Sequence, residues 1–126
     1  MTIQFNPQRQ SYMKYDNEHY LLFLHEQEAE QTNEADDKIK GYTYTGPRID
    51  GSTLIEAIGV TPENIRGKFI AGLLGLEYSL DDQIALLANG EDSEEHSKEL
   101  ADFMLARSEA KKNVDEVLSR FNSDIL

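Results

Sequence analysis

Around residue 61 the spacing of apolar residues changes, and that change limits what the chain can fold into. Before it, Lys38 to Tyr44 alternates as KIKGYTY, the period of a strand with one face in a core. After it, Ile65, Phe69, Ile70, Leu73 and Leu74 recur at helical spacing, and two further segments keep that period. Strands first and helices afterwards predict an α+β domain. The expected order is an N-terminal β-hairpin or small antiparallel sheet, then three C-terminal helices, the last long and amphipathic.

Residues 1–17 are polar and weakly patterned, with Pro7 and several Gln, and read as an N-terminal arm. Residues 18–60 form the β-rich part and residues 61–126 the helical part of one folded unit. The segment HYLLFLHEQEAE, residues 19–30, opens with bulky side chains from Tyr20 to Leu24. It reads as a strand buried on both faces at first and then running out to solvent, with a helix over residues 18–31 as the alternative. The acidic tract EQTNEADD and the returning strand KIKGYTY complete a hairpin with a long charged tip over residues 18–46.

Thr61-Pro62-Glu63 is a helix start, and that helix is expected to end near Glu77. Ser79, with Asp82 three residues on, opens a second helix that Asn89-Gly90 closes. Asp92 with Glu95 opens the longest, to about Phe121. Along it, Leu100, Val114 and Phe121 fall at position a of a heptad and Phe103, Ala110 and Val117 at position d, with Arg107 at the remaining a. That face is compatible with a coiled-coil homodimer or homotrimer in which Arg107 sets register. The simpler reading packs the same face on the chain's own domain. Gly67, Ala71 and Gly75 form a small-residue stripe on the first helix, suited to close approach by another helix in the domain or in a second subunit.

Twenty-four acidic residues against twelve basic give a net charge of −12. Nucleic-acid binding depends on phosphate neutralisation by Lys and Arg, so direct binding is not expected, and anionic membranes are disfavoured for the same reason. Basic protein partners are favoured. The chain has no cysteine, which removes disulfides, thiolate nucleophiles and Cys-ligated zinc. The opening MTIQFNPQRQ lacks the basic and apolar regions of a signal peptide, and the longest apolar run, FIAGLLGL, is too short to span a bilayer.

Gly46, four residues, then Gly51-Ser52-Thr53 has the spacing of a phosphate-binding loop. The lysine that would meet the phosphates is replaced by Ser52, and the pattern after it lacks the strand–helix repeats such a loop needs. Gly46-Pro47 and Asp50-Gly51 instead predict a turn. His19 and His25 are too far apart on a strand to share a metal ion, and His96 shares a helix face only with Asp92. No cofactor, metal or catalytic residue is assigned. A small enzyme would need His19 or His25 buried beside Glu26 or Glu28 in a cleft.

In order, YTYTGPRIDGSTLIEA, LEYSLDDQIALLAN and SEAKKNVDEVL resemble segments of small proteins encoded in phages and prophages of gut bacteria. In those proteins an aromatic-alternating strand, a D-G-[GS]-T-L-I-E-A turn, a [KE]-Y-S-x-x-x-[QE]-x-A-L-L helix and a Lys/Ala-rich final helix recur in this order. The resemblance covers residues 18–120 and implies a non-enzymatic structural or assembly role, of the tail, fibre or minor virion type. It implies contacts with other phage or host proteins and a place in the host cytoplasm or the virion. The surfaces expected to make them are the hairpin and the terminal helix. The rival reading is a small acidic inhibitor that mimics DNA phosphates and blocks a host defence or nucleic-acid enzyme.

Overall fold

A computed structural model describes residues 1–120. Within it the α+β order holds: small antiparallel sheets come first and three helices follow, the last long. The strands are β1 (Thr2–Asn6), β2 (Tyr12–Lys14), β3 (His19–Leu22), β4 (Gln27–Thr32), β5 (Lys38–Gly46) and β6 (Thr53–Glu56). The helices are α1 (Ile65–Gly75), α2 (Leu80–Asn89) and α3 (Glu94–Ser119). One sheet has the order β1-β5-β4 and the other β2-β3-β6, with antiparallel pairing throughout.

The bulky run from Tyr20 to Leu24 lies between two apolar layers. Leu22 and Leu24 pack with Ile55, Phe69, Val114 and Val117 against α1 and α3, while Leu21 and Phe23 pack with Tyr44 of the other sheet. Alternation along a strand sends successive side chains to opposite faces, so a strand buried on both needs apolar residues at every position. The run does not continue into the hairpin. At His25 the backbone enters the left-handed region, φ 57°, and the chain crosses to the other sheet, where Gln27–Thr32 pairs with residues 38–43 of β5. The hairpin is therefore β4–β5 alone, and residues 19–22 belong with β2 and β6. Its acidic tip is held by Asn33, whose side-chain oxygen accepts from the N–H groups of Ala35 and Asp37.

Residues 1–17 are not a free arm. Thr2–Asn6 pairs along β5, Thr2 opposite Gly46 and Asn6 opposite Tyr42, and Tyr12–Lys14 pairs with β3. These are edge strands with little buried side-chain area, held mainly by backbone hydrogen bonds, which hydropathy does not register. Tyr12 adds an aromatic contact to Phe69, with ring centroids 5.3 Å apart.

The helix caps fall close to their expected places. Ser79 Oγ accepts from Asp82 N, and Gly90, at φ 54°, donates to Leu86 O to end α2. Ser93, not Asp92, caps α3 by accepting from His96 N, while Asp92 bonds the His96 ring. The first helix begins a turn later than its proline suggests. Thr61 and Asn64 exchange side-chain to backbone hydrogen bonds and close a turn, and α1 starts at Ile65.

Candidate functional site

The most bonded polar cluster ties the N-terminal strands, the inter-sheet crossing and the end of α3 together. Arg9 makes a two-pronged contact to the Glu26 carboxylate, with its closest N···O distance 2.8 Å. Tyr44 Oη donates to the same carboxylate at 2.7 Å and accepts from Gln10 N. Arg120, its side chain 3% exposed, donates to the carbonyls of Gln10 and Phe23 and lies 3.5 Å from Glu26. Burial pushes the Glu26 carboxyl up, but the hydrogen bonds from Arg9 and Tyr44 and the charge of Arg120 outweigh it, so its pKa lies below the usual carboxylate value. Burial, reinforced by the bond to Glu26, pushes Tyr44 up to about 12. Every strong donor here is already committed to an acceptor within the chain, which makes the cluster a clamp on the fold.

The residues of the expected coiled-coil face go into that fold. Phe103, Ala110, Val114 and Val117 are buried in the chain's own core, Phe103 against Tyr78 with centroids 5.1 Å apart. Leu100 is half-buried and Arg107 exposed, away from the buried seam. Phe121 lies outside the described residues. The coiled-coil reading of this face is corrected: Ala110, Val114 and Val117 pack with α1 and the strands and Phe103 with Tyr78, so the simpler reading, packing on the chain's own domain, is the one observed.

The glycine stripe is not where the first helix packs within the domain. Gly67, Ala71 and Gly75 are exposed, and a methyl group added at Gly67 or Gly75 would meet nothing within 4 Å. The close approach is at Gly72, where a Cβ would lie 2.7 Å from the Glu56 carbonyl oxygen and 3.0 Å from Ile55 Cδ1. The tight contact is between helix and strand.

In the glycine-rich loop three of the backbone donors are spent internally. Arg48 N donates to Ser52 O, Gly51 N to Arg48 O, and Ser52 N to Asp50 Oδ1. Gly51 has φ 79°, as a turn requires, and a strand follows where a phosphate-binding loop would have a helix. The turn reading holds.

His19 bonds Asp16 at 2.9 Å and His96 bonds Asp92, each near the surface. The bond from Asp92, against a smaller opposing effect of burial, raises the His96 pKa. His25 is exposed beside Glu26, whose carboxylate faces Arg9 and Tyr44 instead. Among the described residues no group of three or more His, Asp or Glu could hold a metal ion, and no helix is long and apolar enough to cross a membrane.

What the sequence reading missed is on α2. Among the described residues this helix buries none of its own side chains. Leu80, Ile84 and Leu87, at 72%, 58% and 63% exposure, occupy one outward face, while Ala85, Leu86 and Asn89 look towards α3. The signal was present as apolar residues on too wide an arc for one buried stripe. Compared with known proteins, the chain matches no family model, no curated protein and no solved structure.

Proposed function

We propose that this chain is a non-enzymatic structural or assembly protein of the phage or prophage kind, working by protein–protein contact through the outer face of α2. One observation carries the reading: Leu80, Ile84 and Leu87 form an apolar ridge that the described fold leaves in water. Fully burying a side chain of this size gains about 1.5–3 kcal/mol, so a helix that exposes three in register gains most by meeting another protein. The resemblance of residues 18–120 to small phage-encoded proteins supports the setting. The terminal helix, expected to drive homodimer or homotrimer formation, yields that role to α2.

The test is the solution mass of the full chain by light scattering, compared with a variant carrying Leu80→Ser, Ile84→Ser and Leu87→Ser. A dimer or trimer that becomes monomeric, with an unchanged circular-dichroism spectrum and a melt lowered only by the lost association, supports the reading. A monomer in both forms, or an oligomer indifferent to the substitutions, overturns it.

A further inference from the structure

A second surface lies on the other side of α2. A cleft of about 570 Å³ opens between the end of α1, the middle of α3 and the crossing at His25, and a second of about 390 Å³ continues it between α2 and α3. The two share Glu77, Tyr78 and Asp102, so they form one groove. Its floor is apolar, built from Leu73, Leu74, Ala106 and Ala110, with Leu105 exposed at its edge.

The groove's charged side chains carry one sign. Glu77, Asp102 and Glu109 line the first part and Asp82 and Glu99 the second, and no Lys or Arg lines either. Asp102 is paired with Lys98, at 2.9 Å. Glu77, Asp82, Glu99 and Glu109 have no ion-pair partner among the described residues, although Met1, which bears the terminal ammonium, and His25 also line the first part. Carboxylates set around an apolar floor repel one another, and a cationic occupant relieves that repulsion while covering the floor. Along α3 the lining runs from Glu99 to Asn113, a length of ~21 Å or about four helical turns.

The geometry points to an amphipathic helix of a partner protein, apolar on one face and rich in Lys or Arg beside it, lying along α3 in this groove. A second copy of this chain is a poor occupant, because it brings a net charge of −12 to an acidic rim. Helix-in-groove recognition places apolar anchors at helical spacing on the floor, and the flanking cations fix orientation and partner. The inference stands on the groove alone and does not require the α2 ridge to self-associate.

The probe is a fluorescent, about four-turn peptide of leucine and lysine in amphipathic order, titrated by anisotropy into the full chain. Three variants are compared with the unaltered protein: Glu77→Gln with Glu109→Gln, Glu30→Gln with Glu34→Gln, and Ala106→Arg. The second pair removes the same charge from the distant β4–β5 hairpin. The expected result is saturable one-to-one binding, weakened about tenfold by the groove pair and abolished by Ala106→Arg. The hairpin pair should leave it within about twofold. Equal weakening by both pairs would mean general attraction to an acidic protein and would overturn the proposal, as would no saturable binding or none of these losses. Ala106→Arg could unfold the chain, so a thermal melt accompanies it, and the two Gln pairs decide the matter without it.

Discussion

Arg120, at the end of α3, donates from its guanidinium to the carbonyl oxygen of Phe23, 97 residues earlier in the chain. The contact closes the last helix onto the point where the chain passes from one sheet to the other. Arg120→Met should leave the Phe23 and Gln10 carbonyls without this donor and remove a charge facing Glu26. Removing one member of a buried, hydrogen-bonded charge pair costs about 3–5 kcal/mol. Urea unfolding should place the loss near the lower end, because Arg9 still holds Glu26. A loss below about 1 kcal/mol would show that the clamp contributes little.

The same clamp should make stability depend on pH at both ends. The Glu26 pKa is depressed, so its contribution is present above the ordinary carboxylate pKa and is lost as the pH falls through the depressed value. Tyr44 is raised from 10.0 to about 12, so its contribution is complete below pH 10 and is lost as the pH rises towards 12. That alkaline loss should be about 2–3 kcal/mol. Unfolding midpoints measured across this range should fall less steeply for Tyr44→Phe than for the unaltered chain. Identical slopes would remove Tyr44 from the account.

Two glycines of one helix should respond with opposite signs. Gly72→Ala drives a methyl group into the Glu56 backbone and should destabilise by about 1–3 kcal/mol. Gly67→Ala meets open space in a helix and should stabilise by about 0.5–1 kcal/mol. Thermal melts of the two variants decide it, and the same sign for both would contradict the packing described for α1.

Salt should act oppositely on the two proposed surfaces. Self-association through the α2 ridge brings together chains of charge −12, so screening should strengthen it. Binding of a basic helix in the groove should weaken with salt. Sedimentation and peptide titration over the same salt series would test both signs.

The α+β order was legible because Ile65, Phe69, Ile70, Leu73 and Leu74 recur three to five residues apart in α1, and Ser79 and Gly90 mark the bounds of α2 by their cap chemistry. In β5 the alternation is broken at Gly41, so Ile39 stays exposed while Tyr44 is buried. Edge strands β1 and β2 were not legible, since Ile3 and Met13 stay exposed and the pairing is made by the backbone. Heptad spacing in α3 records that one face is buried, but not whether the partner is another chain or the chain itself. For Phe103, Val114 and Val117 it is the chain itself. The clamp was hidden for a different reason: Arg9, Glu26, Tyr44 and Arg120 share no local pattern and meet only through the crossing at His25. The groove needed both α1 and α3 in place before its carboxylates could be seen to face one floor.

Amide hydrogen exchange of the full chain at low and high protein concentration tests the central claim most directly, because it locates the contact as well as detecting it. Protection that rises with concentration in residues 80–89, with the β4–β5 hairpin unchanged, is the result expected of an α2 contact surface. Exchange in α2 that is fast and independent of concentration would contradict it.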